Sequence, residues 1–301
     1  MISARLPVWP RPGQLLALAA PAGYVRREEF EAGLEVLGRL IPGQRLLIRP
    51  SLFDQDGYLA GDDPHRAAQL SRMMLRPDVG AVLCVRGGFG ASRLLPRLDW
   101  KALVQKGTMI MGFSDVTALL NLMASQGLVT VHGPGVGQLA RLDEQSLQET
   151  ASLLKGKPPW PAELKGSGVA GGKASGPLMG GNLTMMCHLL GTPYFPQLQG
   201  AILLLEEVNE APYRLDRLLT QLELAGVLDQ VAGLALGNLG QDQGDGPSLE
   251  EVAMRRLARL HNPVVMGLPV GHGPENRPLP LGALAHMDGS AGLVQVGAGI
   301  A

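Results

Sequence analysis

Cysteine is nearly missing from this chain of 301 residues, which has two, Cys84 and Cys187. Each is flanked by apolar residues in a segment that reads as core, so both are expected as buried free thiols. One disulfide between them is the alternative, but there is no cysteine framework of the secreted kind, which favours a reducing compartment. A net field is missing too, because 26 Lys plus Arg stand against 27 Asp plus Glu. Neither nucleic acid nor an anionic membrane surface is then attracted as a whole, and recognition falls to a local site. No stretch is long and apolar enough to span a bilayer. Metal-ligand spacings such as His-Glu-x-x-His or paired Cys-x-x-Cys are absent and the twelve methionines read as core filling, so no metal or other cofactor is expected. Long repeats and low-complexity tracts are lacking as well.

The N-terminus imitates a secretory signal, with Arg5 and Arg11 ahead of the apolar run Leu15 to Ala20 and then Pro21 and Ala22. The run is short, and Pro7, Pro10 and Pro12 crowd its approach. It is expected instead as a first buried strand of a cytoplasmic protein.

What is present is a hydrophobic content of 46%, sufficient for one large core or two ordinary ones. In the first half, short apolar runs alternate with helix-like segments, the pattern of parallel strands joined by crossover helices. Strands are expected at Leu15 to Ala20, Ala81 to Val85, Thr108 to Gly112 and Gly127 to Val131. Helices are expected at Glu28 to Leu40, Pro64 to Met74, from near Ala91, and at Val116 to Ser125. Residues 155–175 shift towards Lys, Pro and Gly and read as a linker between domains at 1–154 and 176–301. Beyond it a helix over Gly180 to Leu190, a strand over Ala201 to Leu205, a helix over Leu215 to Ala225 and short strands near Gly233, Val264 and Gly292 suggest a mixed α+β domain.

Ser114 is the first candidate for chemistry. It sits where the strand Met109 to Gly112 turns abruptly into a helix, which lifts its hydroxyl out of the sheet. The same turn places the backbone N–H of Asp115 at a helix N-terminus, where free donors can stabilise an oxyanion. Val116 replaces the second glycine of a complete nucleophile elbow, and a simple N-cap role is the alternative. Arg86-Gly87-Gly88-Phe89-Gly90 follows a strand. It lacks the Gly-Lys-Ser or Gly-Lys-Thr ending of a phosphate loop and misses the dinucleotide spacing, so an oxyanion-binding turn fits better, with a ligand-free tight turn as the alternative. Glu206 and Glu207 end an apolar strand, one carboxylate pointing inward and the other to solvent. His272, between Gly271 and Gly273, can reach a cleft, although a lone loop histidine is commonly inert. His132 borders the strand after Ser114 and is a candidate lining residue. His65, His188, His261 and His286 lie in or beside helical or strand patterns.

Read in order, these segments resemble the LD-carboxypeptidase family of serine peptidases, which includes murein tetrapeptide carboxypeptidases and microcin-immunity peptidases. The resemblance runs through Ala19-Ala20-Pro21-Ala22, Gly61 to Arg66, Arg86 to Gly90, Gly112 to Asp115, Gly180-Gly181-Asn182-Leu183, Gly191-Thr192-Pro193, Leu205 to Val208, Tyr213 to Arg217, Gly271-His272 and Leu279 to Gly282. It implies an α/β fold with a Rossmann-like N-terminal domain on a mainly parallel sheet and a smaller C-terminal mixed α+β domain of the swivelling β/α type. It implies Ser114 as nucleophile, His272 as base and Glu206 as orienting acid, with Glu207 where the family often has Asp. The implied oxyanion hole uses Asp115 and the Gly87-Gly88 turn. This agrees with the chemistry, since a serine needs a base and that base a carboxylate.

Because the nucleophile falls in the first domain and its partners in the second, the expected site is a cleft between them. A terminal carboxylate would pair with Arg86, Arg214 or Arg217, each of which is otherwise a surface or helix-end charge. The implied substrate is a murein tetrapeptide losing its terminal D-Ala from the L-centre of diaminopimelate, and a homodimer is implied. A microcin-immunity-like peptidase acting on a peptidyl-nucleotide or acylated amino acid is the second reading. Members of that group tend to carry a longer segment between acid and histidine than the interval Glu206 to His272. A non-catalytic peptide-binding module is the third.

Overall fold

The computed structural model describes residues 4–241 and 246–297. In the first half the apolar runs become five strands: β1 (Leu15–Ala19), β2 (Leu46–Leu47), β3 (Val79–Cys84), β4 (Met109–Gly112) and β5 (Thr130–His132). All pair in parallel, in the order β5-β4-β3-β1-β2. Every residue of β3 and β4 is buried, which is why these strands read as continuous apolar runs instead of alternating ones. The connecting helices are α1 (Arg27–Leu40), α2 (Asp63–Leu75), α3 (Trp100–Lys106), α4 (Thr117–Ser125) and α5 (Glu144–Leu154).

Local chemistry sets the ends of α2: the Asp62 side chain accepts the His65 N–H at 2.7 Å, and proline occupies the first turn, both helix-start signals. The helix expected from near Ala91 is a short 3-10 segment, Ser92–Arg97, with Pro96 inside it. A proline there lacks the N–H that an α-helix would use.

The chain divides into two compact units, Met1–Pro159 with Arg277–Leu279, and Trp160–Asn276 with Pro280–Ala301. In the first, the returning segment is tied down by Arg277, whose guanidinium donates to both carboxylate oxygens of Glu149 at 2.9 and 2.7 Å. Such a forked pair is among the stronger polar contacts.

The second unit holds β6 (Ala162–Lys165), β7 (Ser167–Ala170), β8 (Lys173–Asn182), β9 (Ile202–Glu206), β10 (Gly233–Leu236) and β11 (Val264–Met266), and later β13 (Leu284–Asp288) and β14 (Leu293–Val296); β12 (Leu279–Leu281) belongs to the first sheet. Its helices are α6 (Leu183–Leu189), α7 (Pro212–Leu224), α8 (Val227–Gln230) and α9 (Leu249–Leu257). The sheet order β6-β14-β13-β8-β9-β10-β11-β7 puts the sequence neighbours β6 and β7 at opposite ends. The single residue between them, Gly166, therefore brings the two edges of the sheet together.

Two sequence expectations change here. Residues 155–175 contain β6, β7 and the start of β8, and are not a free linker. Their glycines admit backbone instead: a Cβ on Gly166 would overlap the carbonyl oxygen of Met266, and one on Gly168 that of Gly289. Gly180 to Asn182 are the end of β8, not the start of a helix. Gly180 has φ of 111°, and its Cβ would overlap the carbonyl oxygen of Leu204 on the neighbouring strand. Helix α6 begins only at Leu183, capped by Asn182, whose side chain accepts the Met185 N–H at 3.1 Å.

Gly33 tests the packing of the first unit. It lies in the buried face of α1, where a Cβ would overlap the carbonyl oxygen of Val136. Helix propensity alone makes Gly33→Ala stabilising by about 1 kcal/mol. The overlap reverses the sign, and urea unfolding is expected to show a loss of about 1–3 kcal/mol. A gain in stability would mean that α1 does not lie against residues 136–141.

Candidate active site

In the first unit, β4 stops at Gly112, Phe113 remains extended, and Ser114 takes φ of 60°. Only two non-glycine residues with positive φ occur among the described residues, Ser114 and Asn209. Such a backbone angle persists only where the surroundings impose it, and it is how a nucleophile elbow lifts its hydroxyl. A 3-10 turn, Ser114–Val116, then leads into α4. Phe113 and Val116 occupy the two cap positions, neither with a side-chain cap bond, so Ser114 is not the N-cap of either segment.

The glycine-rich turn lies against this elbow. A Cβ on Gly87 would stand 2.6 Å from Ser114 Cβ, 2.7 Å from its Oγ and 3.1 Å from the Asp115 N. The missing side chain keeps clear the space over both the hydroxyl and the amide expected to donate to an oxyanion. The Gly23 N–H donates to the Gly87 carbonyl at 3.0 Å. A trans peptide holds its C=O and N–H antiparallel, so this bond turns the N–H of Gly88 to the side away from Gly23. Arg86, half-buried, donates to the Tyr24 carbonyl at 3.1 Å and has its guanidinium 5.8 Å from that ring's centroid. His132 is wholly buried, edge-on to Phe113 at 6.3 Å between centroids; it supports the strand before Ser114.

Two charged groups in this region went unassigned in the sequence. Arg66 is 2% exposed. It donates from Nε to the Gly61 carbonyl at 3.1 Å, from Nη1 to those of Pro21 and Gly90 (the latter at 2.9 Å), and from Nη2 to Asp63. The Asp115 side chain is equally buried and its Oδ2 accepts the Ala91 N–H at 2.7 Å. Burial pushes this carboxyl up to about 6, against the pull of the Ala91 N–H and the Arg66 charge. The one available sequence signal was their place in the segments Gly61 to Arg66 and Gly112 to Asp115.

The second unit contains the other half of the expected constellation. His272 Nδ1 lies 2.6 Å from Glu206 Oε2. This carboxylate, at the end of β9, is 0% exposed, while the imidazole is 17% exposed. Gly271, with φ of 123°, makes the approach possible, since its Cβ would stand 2.9 Å from Glu206 Oε2. Its N–H donates to the buried Asn276 Oδ1 at 3.1 Å, closing the loop that carries His272. Asn276 too was missed, because asparagine in a loop has no distinctive pattern.

Glu207 does not point to solvent. It is 3% exposed and accepts from Asn182 Nδ2 at 3.1 Å, Thr184 N at 2.8 Å and Val208 N at 2.9 Å. Burial raises its pKa, and those donors oppose the rise. Arg214 and Arg217 stand on α7 around exposed Tyr213, with Arg214 also 3.6 Å from Glu210. Both cysteines are free and buried, and burial pushes each thiol up to about 12. No group of His, Cys, Asp and Glu among the described residues could hold a metal ion, and no helix there is long and apolar enough to cross a membrane.

Comparison with known proteins matches residues 16–133 to the LD-carboxypeptidase N-terminal domain and residues 175–287 to the LD-carboxypeptidase C-terminal domain. The murein tetrapeptide carboxypeptidase of Pseudomonas aeruginosa is 34% identical over 91% of this chain and 93% of its own. The microcin C7 self-immunity protein of Escherichia coli is 28% identical over 90% of this chain and 88% of its own. Among solved structures, the muramoyltetrapeptide carboxypeptidase of Oxalobacter formigenes superposes with a TM-score of 0.82 at 30% identity, covering 94% of this chain and 97% of that one.

The Asp115 carboxyl has a pH signature. Its pKa in the fold, about 6, lies above the ordinary 3.8, so the folded state holds the proton more tightly. The stability this lends is complete below pH 4 and is lost as pH rises through 6, a change on the order of 3 kcal/mol. Asp115→Asn should flatten this stretch of the stability profile in urea titrations from pH 4 to 7. An unchanged slope would mean that the carboxyl titrates in water.

Proposed function

The chain belongs to the LD-carboxypeptidase family, and from that premise we propose that it hydrolyses the L,D-peptide bond that holds the terminal D-Ala of a murein tetrapeptide, as in peptidoglycan recycling. The observation that carries the chemistry is the 2.6 Å contact between His272 Nδ1 and the wholly buried Glu206. A carboxylate there fixes the proton on Nδ1, leaves Nε2 as the basic atom and stabilises the imidazolium once it forms. An imidazole prepared in this way serves as a general base.

In the proposed reaction Ser114 Oγ attacks the carbonyl carbon of the L,D bond while His272 Nε2 takes its proton. The carbonyl oxygen becomes an oxyanion, held by the Asp115 N–H and the Gly87-Gly88 turn. The intermediate collapses with cleavage of the C–N bond, and His272 passes the proton to the departing D-Ala nitrogen. Water, deprotonated by the same imidazole, then attacks the acyl carbon; as the bond to Ser114 Oγ breaks, the imidazolium passes that proton to Oγ and the shortened peptide leaves as its carboxylate. Of the three candidate arginines, Arg86 is assigned to the substrate carboxylate, because it begins the turn that contains Gly87. Arg214 and Arg217 share an exposed helix face, which suits a surface role. A cytoplasmic location and a homodimer remain parts of the proposal.

A second reading keeps the same residues and replaces the substrate by a peptidyl-nucleotide or acylated amino acid; the similarity to the microcin self-immunity protein supports it. The short interval between Glu206 and His272 favours the murein peptide.

Four variants test the chemistry. Wild-type protein should release D-Ala from murein tetrapeptide, and Ser114→Ala should reduce kcat by about 10⁴-fold or more, with His272→Ala equally impaired. The double variant should be no worse than either single one, because the residues act as a unit. D-Ala release by Ser114→Ala at the wild-type rate would sink the serine mechanism. Turnover of a peptidyl-nucleotide with the tetrapeptide untouched would favour the second reading. Glu206→Gln retains the shape but not the charge, and is expected to lower kcat by about 10²–10⁴-fold without raising KM; an effect confined to KM would assign Glu206 to binding.

A further inference from the structure

We infer that Arg66 and the Asp115 side chain are positioning residues that clamp Gly90 and Ala91 and so hold the Gly87-Gly88 turn against Ser114. The inference rests on the reading of Ser114 as the nucleophile and goes beyond it, since neither side chain takes part in the reaction proposed.

The turn is gripped at three places. At its start the Gly87 carbonyl accepts from Gly23 N at 3.0 Å. At its end the Gly90 carbonyl accepts from Arg66 Nη1 at 2.9 Å, and the next N–H, that of Ala91, donates to Asp115 Oδ2 at 2.7 Å. Arg66 arrives from α2 and Asp115 from the elbow itself, so consecutive backbone groups are held by opposite charges on separate elements. Their mutual attraction draws the two grips together. Gly90 fits between them only as glycine: it has φ of 124°, and a Cβ would stand 2.8 Å from Arg66 Nη1 and 2.6 Å from Leu59 Cδ2.

The cost of the arrangement points the same way. Asp115 Oδ1 is buried with no hydrogen-bond partner among the described residues, and an ionised carboxylate in that condition is destabilising. A neutral residue would fill the space at lower cost, so the carboxylate is of use for what its other oxygen does. Asp115 is also the residue whose backbone N–H is assigned to the oxyanion. Its side chain therefore couples one oxyanion donor to the turn assigned the other.

The test compares Asp115→Ala, Asp115→Asn and Asp115→Leu with wild type. The readouts are thermal unfolding, kcat and KM for D-Ala release, and the rate at which a fluorophosphonate labels Ser114, a reaction in which the Oγ–P bond forms and fluoride departs. Asp115→Ala, folded by its melting curve, should lose about 10²-fold in both kcat and labelling rate, with KM within about threefold. Asp115→Asn keeps an oxygen for the Ala91 N–H and should recover to within about tenfold of wild type. Asp115→Leu fills nearly the same volume with an apolar side chain that accepts no hydrogen bond; it should match Asp115→Ala and carries the test if that variant does not fold. A folded Asp115→Ala or Asp115→Leu labelled at the wild-type rate, or an Asp115→Asn as slow as Asp115→Ala, would overturn the inference. Failure of wild type to be labelled or to release D-Ala would instead overturn the proposed function.

Discussion

A serine at φ of 60° is held against its own preference, at a cost on the order of 1–2 kcal/mol, and much of the first unit serves to keep Ser114 there. Buried residues flank it on both sides, Phe113 before and Asp115 and Val116 after. The strand behind it is pinned in a parallel sheet whose neighbour, β3, is buried along its whole length. At Gly112 there is no room for a side chain: a Cβ would stand 3.0 Å from Cys84 Cβ and from Val116 Cγ1. The elbow is thus fixed by packing on the sheet side and left open on the other, where Gly87 provides the opening. Strain at a position so firmly enclosed is stored for use, because the hydroxyl cannot relax into the helix that follows.

The second unit solves a different problem, that of keeping two adjacent carboxylates out of water. Successive residues of a strand point to opposite faces, so Glu206 and Glu207 are separated by their place at the end of β9. Burying either charge alone is expensive. Glu207 is satisfied by two N–H donors at the start of α6, from Asn182 and Thr184, and by the N–H of the following Val208, which makes it a fastening between strand and helix. Glu206 has the imidazole of His272 at 2.6 Å. Of the two, Glu206 is the one hydrogen-bonded to an imidazole, and that ring's remaining nitrogen is the atom the proposed reaction uses. The difference between a structural carboxylate and one proposed for catalysis is set here by which neighbours the backbone supplies.

How much of this was legible in the sequence varied with the distance between the cause and its signal. The parallel sheet was visible because its strands are apolar throughout, and α1 because Phe30, Leu34 and Leu37 recur at helical spacing, although the structure buries Val36 more fully than Leu34. Ser114, Glu206 and His272 stood out because strand ends and glycine-flanked loops are local patterns, and the family resemblance ranked them. The fate of Glu207 was misread, since its donors lie on a strand and helix start that periodicity had merged into one helix from Gly180. Residues 155–175 looked like a linker for a related reason. Glycine in a composition count signals flexibility, whereas Gly166 and Gly168 are there because the sheet's edges approach too closely for a Cβ. Asn276 was not legible at all, and Arg66 only as the end of the segment Gly61 to Arg66, as each acts on a backbone group distant in sequence or without a pattern of its own.

The two halves of the constellation share one device. In each, a glycine lets backbone occupy the place where a side chain would press on a reactive group: Gly87 beside Ser114 Oγ, Gly271 beside Glu206 Oε2. The atoms assigned to the proposed chemistry are consequently located by main chain and by buried fastenings such as Arg66, Asp115, Glu207 and Asn276. Side chains that reach outward, Arg214 and Arg217 beside exposed Tyr213 among them, carry none of that burden. Substrate preference can then change through outward residues and loops while the geometry of attack is preserved. That division of labour suits a family in which relatives of similar fold are named for murein tetrapeptides in one case and for microcin immunity in another.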